Sequence, residues 1–444
     1  MPLIRFLRAA WKSIRTPKPG SRVASGVAAH LYSQVITIIT QLAAVPLFLQ
    51  RWNADTYGQW IAISAVPAYL TIADVGIMTA AGNLMSMHNA RGEHQQVKSV
   101  FKAGLSVVLM VVPTVSTLAG LLLYFFSFGL SPDQRRALFM LTLAALITIA
   151  SGLFDAAYRS CGKYPKITFQ LSSARLAEWT GMLIGLFVGG TLTSTALGNL
   201  TGRILAFAAN FLFARTDVPH IEWNLTGVDL RLARKLAKSG LGFISITLGS
   251  LLTLQGMVVL VATQLGGTAV AVFSTSRTLT RLLAQLAVVS GKSMAPEVSA
   301  LYGAGEQAAA DKLIKRMTRL VLSAIAAGAL VLAPLGSTIM AVWSHGKIPF
   351  NPPVFFLLLA AAVATSCWQI QSVRLTATNQ HQVFATLFVS ASAFVLLLTY
   401  LGLPRFGVDA AAAGTLLTDL LMIVATFAAL RSTTWHRAKS LDAP

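Results

Sequence analysis

LSVVLMVVPTVSTLAGLLLYFF, running from Leu105 to Phe126, contains no charged residue. An α-helix rises ~1.5 Å per residue, so about 20 such residues cross the ~30 Å hydrocarbon core of a bilayer. The block is therefore a membrane span. Working outward from it, similar blocks fill the chain. They lie at approximately 23–50, 56–86, 100–128, 137–158, 166–189 and 193–214, then 239–264, 268–293, 318–343, 353–377, 381–403 and 407–430. The expected fold is all-α and integral to the membrane, with about twelve transmembrane helices in two six-helix lobes. Composition agrees: only 11% of the 444 residues are charged and 55% are hydrophobic, against roughly 25% charged in soluble domains.

The organisation that follows is a basic amphipathic segment (1–22), an N-lobe (23–214), a linker (215–238), a C-lobe (239–430) and a tail (431–444). In the first segment Leu3, Leu7, Ala10, Trp11 and Ile14 recur at helical spacing, with Arg5, Arg8, Lys12 and Arg15 opposite. Such a helix lies in the interface against anionic membrane lipid; the plainer reading is a basic tail that sets topology. No cleavable signal peptide is seen, because the first apolar block continues into a full span.

The net charge of +20 is distributed by side. With the N-terminus cytoplasmic, 26 Lys and Arg fall inside and five outside (Arg51, Arg135, Arg136, Lys347 and Arg405). The positive-inside rule then puts both termini in the cytoplasm. That location, rather than nucleic-acid binding, accounts for the charge. An offset of 213 residues aligns Gly92-Glu93 with Gly305-Glu306, and Ser86 with Ser299. Six helices per repeat is an even number, so the halves enter the membrane in the same sense and relate by an axis along its normal.

Ionisable residues inside spans are costly and mark function by default. The acids are Asp74, Asp155, Glu178 and Asp419; the bases are Arg175, Arg203, Arg277 and Arg281. Arg175 with Glu178, and Asp155 with Arg159, stand three and four apart and are expected to pair locally. Arg277 and Arg281 stand one turn apart with no acid between them, on a face shared with Ser274 and Gln285. Like charges at that spacing repel, so an anion should bridge them. It is either a carboxylate from another span, Asp74 or Asp419, or a ligand phosphate, which a guanidinium fork suits. Arg203 is a candidate for the same role from the first half. His30, Gln34, Thr37 and Gln41 form a polar stripe on the first span, read either as cavity lining or as helix-to-helix hydrogen bonding.

Enzymatic chemistry is not indicated. There is no GxxxxGK[ST] loop, no HExxH and no nucleophile with a base. The two cysteines, Cys161 and Cys367, give neither metal-ligand spacing nor a disulfide framework. No cofactor or metal is expected.

SQVITIITQLAAVPLFLQRWNADTYGQWIAISAVPAYLTIADVGIMTAAGN, from Ser33 to Asn83, and the basic loop Tyr158-Arg-Ser-Cys-Gly-Lys-Tyr164 resemble the polysaccharide transporter family. That family includes the O-antigen and exopolysaccharide flippases, within the superfamily of multidrug, oligosaccharidyl-lipid and polysaccharide exporters. The resemblance implies two lobes around a central cavity, working by alternating access in the bacterial inner membrane. The implied substrate is an undecaprenyl-diphosphate-linked oligosaccharide, in lipopolysaccharide or other polysaccharide biosynthesis. Partners would be the glycan polymerase and glycosyltransferases of the same pathway. It also implies cationic residues on the diphosphate, filled here by Arg277, Arg281 and Arg203 with His30 and Gln34, and coupling acids, filled by Asp74 and Asp419. The alternative is an ion-coupled multidrug exporter of related fold, for which unpaired cavity acids would be expected. With the local pairs set aside, the basic residues exceed the acids, which favours an anionic substrate. A membrane glycan polymerase would carry a large outer loop, and the outer loops here are short.

Overall fold

The computed structural model describes residues 21–126, 128–219, 221, 223–224, 229, 231–234, 236, 244–377 and 382–441. The basic segment of the first 20 residues lies outside them, as does part of the linker. The described residues form helices joined by short turns, with no strand among them. They are α1 (Ser21–Arg51), α2 (Ala54–Ala68), α3 (Thr71–Ala90), α4 (His94–Phe125), α5 (Pro132–Ser160), α6 (Tyr164–Gly189) and α7 (Leu192–Asp217). After the linker come α8 (Ile244–Leu251), α9 (Met257–Gly303), α10 (Gln307–Trp343), α11 (Pro352–Ala377), α12 (Gln382–Phe406) and α13 (Val408–Leu441).

Nine helices among the described residues are long and apolar enough to cross a membrane. The twelve-span pattern is completed in three places. α9 breaks at Gly266, where φ 82 and ψ −177 end one span and begin the next. The second span is divided into α2 and α3 by a turn in which Tyr69 N donates to Val66 O and Leu70 N to Pro67 O. α6 carries Arg175 and Glu178 in its middle, which lowers its apolarity. The span at Leu105–Phe126 is the bulk of α4, and Leu109, Met110, Leu118, Leu121 and Phe125 on it are exposed. A helix with large apolar side chains left outside its own protein faces hydrocarbon.

The chain divides into two compact units. One comprises the described part of Met1–Arg51 together with Val66–Ile244. Here α6 packs on α7 and α1, and α5 packs on α7, α3 and α4. Its core joins Met85, Phe101, Phe154, Tyr158 and Ile167 to the linker residues Val218, Ile221 and Leu236. The other unit comprises Trp52–Ala65 and Ser245–Pro444. There α11 packs between α9 and α13, and α10 and α12 lie against α9 and α13 respectively. Its core includes Met257, Val261, Phe273, Leu358, Val395 and Ala65. Residues 52–65 thus pack with the C-terminal helices, although they precede the linker. The cause is local: Gly58 meets the backbone of Gly267 so closely that a Cβ there would overlap its carbonyl, just past the left-handed Gly266.

The 213-residue offset reappears in loop geometry. Gly92 and Gly305 both adopt positive φ, 75 and 80. Glu93 N donates to His88 O at 2.9 Å, and Glu306 N donates to Leu301 O at 2.9 Å. Each is a glycine-terminated Schellman cap that satisfies the last carbonyls of one helix and starts the next.

In the first unit, α6 and α7 are held by a ladder of small residues. Gly181 faces Gly198, Gly185 and Gly189 face Ser194, and Gly202 faces Ala177 and Glu178; a Cβ on Gly181, Gly185, Gly198 or Gly202 would overlap a backbone carbonyl of the other helix. Small residues four apart let membrane helices approach closely where dispersion rather than hydrophobic burial drives association. Gly185→Leu should therefore separate the helices. Overpacking of this kind costs ~1–3 kcal/mol, and thermal unfolding in detergent micelles should show a lowered midpoint.

Candidate functional site

Within the second unit, α9 brings Arg277 and Arg281 to one small cavity. Its other walls are Ser250, Thr253 and Leu254, then Thr365, Trp368 and Gln369 of α11, and Thr415 and Asp419 of α13. The cavity measures about 90 Å³, room for about three waters at ~30 Å³ each. It is well below the ~300–1,000 Å³ of a pocket enclosing a drug-sized ligand. A compact group such as a phosphate suits it better than a sugar chain.

The local backbone explains how Arg277 is held. Residues Leu252–Gly256 form a π turn between α8 and α9, a widening of the helix that recurs at functional sites because it disturbs the i→i−4 ladder. Arg277 Nη1 donates to Leu254 O in that turn at 2.7 Å, and its guanidinium lies 4.9 Å from the centroid of the Phe273 ring. Backbone oxygen and ring face both favour the cation. Neither neutralises it. Arg281 lines the same cavity and has no hydrogen-bond or ion-pair partner among the described residues.

Asp419 is buried, and its Oδ1 accepts from Trp368 Nε1 at 2.8 Å. It forms no ion pair with either arginine within 4 Å among the described residues. Gln369 Oε1 is buried on the same wall without a hydrogen-bond partner there. Asp74 lies on α3, but its side chain is outside the described residues. The cavity thus holds two cations, one acid engaged by a tryptophan, and an unused amide oxygen.

In the first unit the cations sort differently from the sequence expectation. Glu178 pairs with Arg203 across the α6–α7 interface rather than with Arg175 on its own helix. Asn199 Nδ2 also donates to Glu178 Oε1, at 3.3 Å. The glycine ladder sets this: its antiparallel register carries Glu178 opposite residues 199–203. Arg175 instead donates to Ser33 Oγ at 2.8 Å, Thr37 Oγ1 at 3.3 Å and Ser172 Oγ at 3.4 Å. His30 Nε2 and Tyr164 Oη share a 2.6 Å hydrogen bond. Part of the α1 polar stripe is therefore spent on α6, and Gln34 is half-buried beside it. The expected Asp155–Arg159 pair is present at 2.7 Å. Sequence reasoning missed Arg175 as the cation without an acid and missed the π turn. The ladder's Gly-x-x-x-Gly spacing was the signal that could have indicated the first. Among the described residues no cluster of acids, histidines and cysteines could hold a metal.

No family model matches the chain, and no curated protein does. Solved structures do match over most of their length. An inward-facing multidrug resistance MATE family transporter of the MOP superfamily superposes with a TM-score of 0.69 at 13% identity, covering 92% of this chain and 100% of that one. The lipid II flippase MurJ, in an inward closed conformation, gives 0.69 at 11%, over 91% and 87%. A MOP-superfamily transporter from Pyrococcus furiosus gives 0.65 at 11%, over 96% and 97%. The chain has the fold of a multi-pass membrane transporter. More particularly, that fold is the one shared by MOP-superfamily proteins.

If the cross-helix pair is what stabilises the α6–α7 seam, Glu178→Ala should cost ~3 kcal/mol by leaving Arg203 buried and unpaired. The double substitution Glu178→Leu/Arg203→Leu should recover much of that loss. Thermal unfolding of the three variants beside the parent measures both effects.

Proposed function

We infer that this chain is a flippase for an undecaprenyl-diphosphate-linked oligosaccharide, an O-antigen or exopolysaccharide repeat unit. It carries the substrate from the cytoplasmic to the periplasmic leaflet of a bacterial inner membrane by alternating access, with both termini cytoplasmic. The observation that supports this most is the pair Arg277 and Arg281 in one cavity, with Asp419 as the sole acid on its walls. Two guanidinium groups one turn apart stay charged at neutral pH and repel until an anion bridges them. A diphosphate supplies that anion with oxygens for bidentate contact. The cavity's small volume fits recognition of the charged head alone, leaving prenyl chain and sugars outside it.

The proposed roles follow from position. Arg277, fixed by Leu254 O, presents its remaining N–H groups, and the unpartnered Arg281 supplies the second contact. Asp419 is the coupling acid: close to Arg281, it competes with the anion for that cation and releases it on protonation. Asp74 is the second coupling candidate. In the first unit Arg203 is paired with Glu178 and His30 is bonded to Tyr164, so each would exchange that partner to meet the substrate, and Gln34 is the further candidate there. The glycan polymerase and glycosyltransferases of the pathway are the proposed partners.

The MurJ and Pyrococcus furiosus likenesses support this reading. The first is a lipid II flippase, and the second is a transporter whose binding pocket of reverse polarity suggests a different function. Likeness to multidrug MATE transporters favours the second reading, an ion-coupled drug exporter, but the cation excess around the cavity suits organic cations poorly.

Flipping of a fluorescent undecaprenyl-diphosphate oligosaccharide in proteoliposomes tests the proposal. Each of Arg277→Ala and Arg281→Ala should slow flipping about tenfold, the loss of one charge-assisted hydrogen bond worth ~1.5 kcal/mol. Unchanged flipping in the double variant would remove the site while keeping the function. Absence of flipping, with export of an organic cation, would replace the function. Separately, Asp419→Asn should retain binding but lose its dependence on an imposed ion gradient.

A further inference from the structure

The first unit contains a larger, almost wholly apolar groove of about 660 Å³ between α4, α5 and α7. Its walls include Leu105, Val112 and Pro113 of α4, Ala150 of α5, and Phe207 and Phe211 of α7. It opens sideways, since Leu109 and Ile204 on its rim are each 48% exposed. An apolar cavity of this kind does not hold water, and beside spanning helices the medium available to fill it is hydrocarbon.

One end of the groove has a different chemistry. Trp223 of the linker closes it, its ring 4.8 Å from Phe101, 5.3 Å from Phe154 and 5.2 Å from Phe211. The Trp223 Nε1–H is buried without a hydrogen-bond partner among the described residues. Such a group in a native fold needs an explanation, often an acceptor from outside the protein. Arg215 stands over the Phe211 ring, 5.9 Å from its centroid, exposed and with no carboxylate partner among the described residues. This end adjoins the basic α3–α4 and α5–α6 loops, the side that charge distribution assigns to the cytoplasm.

Length discriminates between lipid occupants. Along α4 the groove runs from Leu105 to Pro113, about 12 Å at ~1.5 Å per residue. That is close to the ~15 Å depth of one leaflet's hydrocarbon. A long prenyl chain would overrun it, whereas a single acyl chain fills it. We propose that this groove is a seat for an anionic phospholipid of the cytoplasmic leaflet. One acyl chain lies against Ala150 and Phe207, an ester carbonyl accepts from Trp223 Nε1, and the phosphate pairs with Arg215. The site is independent of the Arg277 cavity and of the substrate assigned to it.

Quenching of Trp223 by acyl-brominated lipids tests this in the full chain reconstituted into vesicles. The chain has eight tryptophans, so the difference between the parent and Trp223→Phe isolates the one at the groove. Brominated phosphatidylglycerol should quench that component at about fivefold lower lipid fraction than brominated phosphatidylcholine, the preference expected of one arginine at an anionic surface. Arg215→Gln, at an exposed position, should abolish the preference, and Ala150→Phe should abolish quenching by both lipids. Equal quenching by the two lipids in the parent, or no quenching, would overturn the proposal. So would stronger quenching by a brominated prenyl phosphate, which would give the groove to the substrate's chain instead.

Discussion

A polar group in hydrocarbon has no water to turn to, and leaving one unsatisfied costs several kcal/mol. That constraint orders the whole chain. It makes every span a helix, and it sends hydroxyls back to their own helix. Thr142 Oγ1 donates to Leu138 O, Ser151 Oγ to Ile147 O, Thr415 Oγ1 to Ala411 O and Thr426 Oγ1 to Met422 O. The same constraint pairs Asp155 with Arg159 on one helix and Glu178 with Arg203 across two. Against that background, a charge left without a counter-charge in a span has been kept at a cost, and the cost asks for a use.

Which charges remain is decided by backbone packing rather than by the charges themselves. The α6–α7 approach depends on glycines, because any side chain at Gly181 or Gly185 would strike the neighbouring carbonyl. Once the two backbones touch, their register is fixed to the residue, and Glu178 falls beside Asn199 and Arg203. Arg175, three residues away on α6, points elsewhere, to the hydroxyls of Ser33 and Thr37. One steric contact thereby neutralises one arginine and exposes another.

Periodicity and length made the spans legible, since hydrophobic run length is a property of the chain alone. The loop at Gly92 and its counterpart at Gly305 were legible too, because a glycine before a basic helix start carries the same cap in both halves. Pairing was not. An i,i+3 or i,i+4 rule predicts neighbours on one helix, and for Asp155 with Arg159, four apart, it succeeded. For Glu178 it failed because a neighbouring helix came nearer than the local partner, which no single-helix pattern encodes. The assignment of residues 52–65 to the second unit was invisible for the same reason: it follows from Gly58 fitting Gly267. The proximity of Arg277 and Arg281 was readable from spacing, but the π turn that supplies Leu254 O was not.

That turn bears on how a cation pair survives inside a span. Two arginines on successive turns would ordinarily avoid each other by rotating toward separate partners. Arg277 cannot rotate freely, because the carbonyl of Leu254 and the face of Phe273 hold it. Arg281 is left to face the same cavity, while Asp419, the acid that could cancel it, is bound to Trp368 Nε1. Around this cavity, three ordinary contacts thus engage Arg277 and Asp419 while neither forms an ion pair with the other. An arrangement of that kind is organised in advance for an incoming anion, since the cost of assembling like charges is met by the fold and not by the ligand when it binds.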